Sequence, residues 1–180
     1  YDMRPNRRLQ LLTDVRFSTM ATYMYEDAVK LPVALFVVEL LTTVARHEHE
    51  NRQLFEFVDA SIDVLELDGE HTANFHLVFM TMLTRLVGIA PDEETYAAGS
   101  WLDLREGCFT LLRPAHQDVA QPEVARRIAL FLRGGFEGVA MPMNRDERNC
   151  CLDALMDYYR LHLPSFPELK SVAILRQLFQ

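Results

Sequence analysis

Ala73-Asn74-Phe75-His76-Leu77-Val78-Phe79-Met80-Thr81-Met82-Leu83-Thr84-Arg85-Leu86-Val87-Gly88-Ile89-Ala90-Pro91 decides the fold class. Phe75, Val78, Phe79, Met82, Leu83 and Leu86 recur at spacings of three and four, the period of one helical face. The spacing predicts a helix from about His71 to Val87. Gly88 suits its C-terminal cap, and Pro91 prevents it from resuming.

Working outward, the same period appears on both sides. Before it, Val33, Phe36, Val37, Leu40, Leu41 and Val44 predict a helix opened by Pro32 and ended by Arg46-His47, cations that suit a helix C-terminus. Leu54, Phe55, Val58, Ile62 and Leu65 predict a second apolar face, stopped at Asp68-Gly69. After it, Val124, Ile128, Ala129, Phe131 and Leu132 predict a helix from Pro122 to Gly134-Gly135. Asn144 and Glu147 have capping-box spacing and open a helix to about Leu163, with Cys151, Leu152, Leu155, Tyr158 and Tyr159 as its buried stripe. Pro164 and Pro167 form an elbow, and Ser171 starts a last helix of Val172, Leu175 and Leu178.

Two stretches break the pattern. Within residues 92–117, Trp101-Leu102-Asp103-Leu104 and Cys108-Phe109-Thr110-Leu111 flank Arg105-Glu106-Gly107, which predicts two short strands around a glycine turn. Residues 1–25 show no helical period. Leu9, Leu11, Val15 and Phe17 alternate in part, so a short strand or an extended arm is expected, with too little apolar content for a core of its own. The fold class is therefore mainly α: about six helices with one small β-hairpin insert.

Composition narrows the function. The 180 residues are 49% hydrophobic and 24% charged, ordinary for a globular domain and too apolar for disorder. The longest apolar run, Leu31 to Leu41, is interrupted by Pro32 and Glu39, so no membrane partner is expected. Three cysteines, two of them adjacent, make no disulfide framework, and the chain reads as soluble and intracellular. Eighteen basic against 26 acidic residues give a net charge of −8. A cationic surface is what neutralises phosphates, so the body is a poor free DNA-binding module. The first sixteen residues run the other way, with Arg4, Arg7, Arg8 and Arg16 against Asp2 and Asp14.

Catalytic chemistry finds little support. His47-Glu48-His49 could ligate one ion only from a loop, because residues two apart on a helix diverge; a solvated helix end is the better account. His76 sits among apolar neighbours and reads as a core or edge histidine, while His71, His116 and His162 have no partnered motif. Cys150 and Cys151 project about 100° apart on a helix and cannot share a metal easily. No phosphate-binding glycine loop, nucleophile elbow or di-iron Glu-x-x-His string occurs. One basic cluster stands out, Arg126, Arg127 and Arg133, with Arg126 and Arg133 seven apart on one helix face beside Phe131-Leu132. An acidic-apolar peptide could dock there, against the alternative of a solvated face on an acidic protein.

Several strings together resemble the RecO family of bacterial DNA repair proteins. They are Ala73-Asn74-Phe75-His76-Leu77-Val78-Phe79 with Leu86-Val87-Gly88-Ile89-Ala90-Pro91-Asp92, and Asp157-Tyr158-Tyr159-Arg160-Leu161-His162-Leu163-Pro164 with Phe166-Pro167-Glu168-Leu169-Lys170-Ser171. Arg4-Pro5-Asn6-Arg7-Arg8-Leu9-Gln10 and Leu35-Phe36-Val37-Val38-Glu39-Leu40-Leu41 fit the family's linker and first helix, and the likeness spans roughly residues 4–179. The resemblance implies that residues 26–180 are the C-terminal helical domain and that residues 1–25 are an arm left from an N-terminal OB-fold, the barrel that carries DNA contact. The chain would then be a C-terminal fragment or the ordered part of a larger one.

Many members of that family hold zinc on four cysteines within the insert. Here Thr95 and Ala98 stand where a Cys-x-x-Cys pair would fall, and Cys108 follows alone, so the insert is a degenerate zinc-finger-like region expected to hold no zinc. Trp101, Leu102, Phe109 and Leu111 are expected to hold the hairpin instead. The implied function is that of a cytoplasmic, nucleoid-associated recombination mediator and not an enzyme. It would help to load RecA onto DNA coated by single-stranded DNA-binding protein, docking RecR and the acidic-apolar C-terminal tail of that protein. Arg126, Arg127 and Arg133 are the docking candidates, drawn from charge and spacing. The alternative is direct DNA binding or annealing through Arg7 and Arg8.

Overall fold

The computed structural model describes residues 22–45, 51–67, 69 and 72–178. Its elements in chain order are α1 (Thr22–Glu26), α2 (Lys30–Val44), α3 (Arg52–Leu67), α4 (Phe75–Leu86), β1 (Trp101–Asp103), β2 (Cys108–Thr110), β3 (Val119–Ala120), α5 (Pro122–Gly134), α6 (Arg145–His162) and α7 (Ser171–Leu178). The architecture is mainly α with one small antiparallel sheet.

The stretch that decides the fold class also forms its centre. Helix α4 packs against α2, α3, α5 and α6. Phe75 to Thr81, with Leu83 and Thr84, are all buried, so the helix is enclosed on every side as its apolar content requires. The Thr81 and Thr84 hydroxyls donate to Leu77 O (2.8 Å) and Thr81 O (2.6 Å) within the helix, which satisfies them without a partner in the core. Gly88, at φ +76°, takes the left-handed cap; its N–H reaches Arg85 O and the next, from Ile89, reaches Thr84 O at 2.9 Å. Residues 72–74 form a 3-10 turn ahead of α4, so the α-helix starts at Phe75 rather than near His71, which lies outside the described residues.

Three other expectations are adjusted. Thr22–Glu26, in the arm expected to be extended, is a helical turn whose Tyr23 and Met24 N–H groups are both capped by the Glu66 carboxylate at 2.8 Å. Phe55, expected on the buried face of α3, is 70% exposed, and Ile62 is exposed too. Leu54, Phe57, Val58, Ser61 and Leu65 form the real inner face; Phe57 stacks on Phe79 at 5.0 Å and on Phe136 at 5.9 Å. The insert has a third strand, in the order β2-β1-β3. The partly extended arm at Leu9–Phe17 and the His47-Glu48-His49 string lie outside the described residues.

Leu102 faces Phe109 across β1 and β2, and both are buried. Leu111 is 65% exposed and holds nothing; Trp101 is half-buried with the Arg113 guanidinium 5.3 Å over its ring. Asp103 pins the turn, accepting from the Arg105 N–H at 2.9 Å and meeting His116 Nε2 at 3.1 Å. The insert is seated on α6 through His162 Nε2, which lies 2.8 Å from Leu104 O, its ring 4.1 Å from that of Tyr158.

The capping box of α6 is complete: Asn144 Oδ1 accepts from the Glu147 N–H (3.0 Å), and Glu147 Oε2 accepts from the Asn144 N–H (2.8 Å). Its stripe of Cys151, Leu152, Leu155, Tyr158 and Tyr159 is buried, and the Tyr159 hydroxyl donates to Met80 O on α4 at 2.9 Å. Helix α7 closes over α2. The Glu39 carboxylate takes the Lys170 and Ser171 N–H groups, each at 2.9 Å, and so caps a helix 132 residues away.

Candidate partner-docking face

Helix α5 presents the basic face. Proline at its first position and Gly135, at φ +53°, set its limits. Ala125, Ile128, Ala129, Phe131 and Leu132 turn inward, so Phe131 and Leu132 are core rather than flanks of the arginines. Leu130 takes that place. It is 39% exposed, four residues after Arg126 and three before Arg133, so the three side chains line one outer face.

The three arginines divide. Arg127 is buried at 6% exposure; it donates to Glu123 O at 3.2 Å and forms an ion pair with Glu147 on α6. Its guanidinium is committed to holding α5 against α6 and is not offered to a partner. Arg126 is exposed and pairs loosely with Glu123 at 3.4 Å. Arg133 is exposed, donates to Glu93 O at 2.9 Å and lies 5.4 Å over the Tyr96 ring.

Arg85, at the end of α4, joins Arg133. It reaches both Glu93 (2.6 Å) and Leu132 O (2.8 Å), so two guanidinium groups converge on the 3-10 turn Glu93–Thr95. The sequence carried the signal for Leu130, through its place between two arginines on a helix of known phase. Arg85 and Tyr96 come from distant elements and had none. The arrangement can recognise carboxylates beside an apolar side chain.

The insert does not fit a zinc site. The Thr95 hydroxyl accepts the Phe109 N–H at 2.8 Å and donates to Asp92 O at 2.6 Å, linking the turn to β2 through hydrogen bonds where a ligand thiol would stand. Ala98 has no donor atom, which leaves Cys108 as the one thiol of the insert; burial, with Asp103, Glu106 and Asp92 nearby, pushes that thiol up. Among the described residues no group of three or more His, Cys, Asp or Glu side chains is placed to hold a metal. Cys151 is buried and its thiol is pushed up to about 12, so it packs as a small apolar residue.

A cleft between α6 and α7 also carries charge: Arg160, Lys170 and Arg176 line it beside Asp153 and Glu168, with Arg176 paired to Asp153 and Arg160 to Asp157 at 2.8 Å. Arg7 and Arg8 lie outside the described residues.

Comparison with known proteins settles the family. The model described as "Recombination protein O C terminal" matches residues 25–172. The chain belongs to the RecO family. "DNA repair protein RecO" of Phocaeicola vulgatus is 38% identical over 179 residues, covering 99% of this chain and 74% of the relative. The RecO of Bacteroides fragilis is 39% identical over 180 residues with the same coverage, and that of Porphyromonas gingivalis 36% over 182 residues, 98% of this chain and 73% of its own. No solved structure matches. Membership in the RecO family places the chain in DNA repair and recombination, and among the described residues no helix is long and apolar enough to cross a membrane.

Proposed function

We propose that this RecO chain is a non-catalytic docking domain of a recombination mediator, cytoplasmic and working at the nucleoid. Its α5 face receives the acidic-apolar C-terminal tail of single-stranded DNA-binding protein, and its helical body contributes to contact with RecR. Docking brings the mediator to coated DNA so that RecA can be loaded. The observation that carries this reading is the exposed Arg126-Leu130-Arg133 line, extended by Arg85, on a chain of net charge −8. Cations gathered on an otherwise acidic protein select anionic peptides more readily than the long phosphate track of DNA. The Thr95 hydroxyl bonded to the Phe109 N–H and the buried Leu102 and Phe109 support a reading in which the insert needs no zinc.

The test is fluorescence anisotropy with a labelled tail peptide beside a scrambled peptide of equal charge. Selective binding supports the reading, and equal or absent binding to both defeats it. A second reading, direct DNA binding or annealing through Arg7 and Arg8, is favoured by the concentration of four arginines in residues 1–16. It predicts affinity for single-stranded DNA that falls steeply with salt and is lost in Arg7→Ala/Arg8→Ala.

A further inference from the structure

The outer face of α2 departs from what its sequence calls for. Over Lys30–Val44 the polar residues are Lys30, Glu39, Thr42 and Thr43, and apolar residues occupy every side of the helix. A helix apolar all round is normally covered all round. Here Val33, Phe36, Val37 and Leu40 are buried in the core, while Leu31, Leu35 and Val38 stand exposed at spacings of four and three, the last two at 54% and 58%. Ile62 of α3 is exposed at 41% and lines one groove with Val38. Between the two helices lies an apolar groove of ≈260 Å³ whose walls include Ala34, Leu41, Val58 and Phe75.

The surroundings of this groove are acidic. Lys30 is buried, its ammonium donating to Glu66 O at 2.7 Å, and Arg52 is bound to Glu56 at 2.7 Å, so neither cation of α1–α3 is turned to the groove. Glu26, Asp59 and Asp63 are exposed carboxylates with no ion pair among the described residues. Asp59 stands one turn before Ile62 on α3. A second cleft, of ≈560 Å³, takes in Tyr23, Glu26, Asp27, Lys30, Glu66 and Leu67, so three carboxylates stand there against one ammonium.

We propose that the α2–α3 face binds an amphipathic helix of another protein, apolar along one side and flanked by lysine or arginine. The groove between two helices suits a third laid into it, with apolar anchors at turn spacing. Charge complementarity selects the basic partner: an acidic peptide of the kind assigned to α5 would bring its carboxylates against Glu26, Asp59 and Asp63. The two faces therefore sort partners by the sign of their charge.

The test uses the full chain and two synthetic helical peptides sharing one leucine stripe, one flanked by lysine and one by glutamate, titrated by calorimetry. The lysine peptide binds and the glutamate peptide does not. In Val38→Glu/Ile62→Glu the lysine peptide loses about ten-fold or more in affinity, or ~1.4 kcal/mol. Both substituted side chains are exposed, and circular dichroism verifies the fold. Asp59→Lys/Asp63→Lys keeps the apolar wall and weakens binding several-fold. Bulk attraction to an acidic protein would instead be strengthened by the added glutamates, and that outcome overturns the proposal. So does Val38-dependent self-association without peptide, which would give the groove to a second copy.

Discussion

The Tyr158 hydroxyl lies 2.7 Å from the point where a Cβ on Gly107 would stand. Gly107 has φ +65°, and Tyr158 is held in place because its hydroxyl donates to Ile89 O at 2.7 Å. Glycine is required twice over, for its backbone and for the approach of the insert to α6. Gly107→Ala should destabilise the protein by about 1–3 kcal/mol. In a Tyr158→Phe background the clash loses its oxygen, so the double variant should be less destabilised than the two singles added together. Denaturant unfolding of the four proteins measures this coupling, and strict additivity would remove the contact.

Arg127 and its two neighbours in the basic cluster should separate by assay. Arg127→Ala leaves Glu147 without its partner and opens the α5–α6 contact, with an expected loss of roughly 2–3 kcal/mol. Arg126→Ala and Arg133→Ala remove exposed side chains and should each change stability by less than about 1 kcal/mol. Thermal or urea unfolding of the three variants checks the order.

Much of this was legible in the sequence. The capping box at Asn144 and Glu147, the glycine stop at Gly88 and the stripe of α6 are local patterns, and local patterns survive folding. What failed depended on distance. Arg127 has a place in the cluster by spacing, yet its burial is decided by Glu147, twenty residues away on another helix. Phe55 is apolar at a plausible position, but α4 and the 3-10 turn at Gly135–Ala140 meet Phe57 instead. Strand β3 has only two residues, too short for any period to show. Leu111 continues an alternating pattern past the end of β2, where no facing strand remains.

Stability should fall in acid through His76. Burial, with Arg148 nearby, holds its pKa down to about 3 from an ordinary value of 6.5. The unfolded chain therefore binds a proton between those values that the folded chain refuses. Its contribution is unchanged above pH 6.5, and stability is lost as pH falls from there toward 3, by up to about 1.4 kcal/mol per pH unit. His76→Asn should flatten that part of the profile in chemical unfolding followed from pH 7 to 4. An unchanged slope would show that His76 is not its source.

The insert should ignore chelators. Unfolding temperature is expected to be the same with and without EDTA, while Thr95→Val, which deprives the Phe109 N–H of its acceptor, should cost about 1–2 kcal/mol. Stoichiometric zinc in elemental analysis of purified protein would contradict this.

The most direct measurement is a titration of the labelled tail peptide of single-stranded DNA-binding protein into three proteins: wild type, Arg126→Ala/Arg133→Ala and Arg176→Ala. The account predicts micromolar binding by the wild type, a loss of ten-fold or more in the double variant, about 1.4 kcal/mol, and no change in Arg176→Ala, whose guanidinium serves the α6–α7 cleft. Equal affinity in all three would contradict the assignment of the α5 face as the docking site.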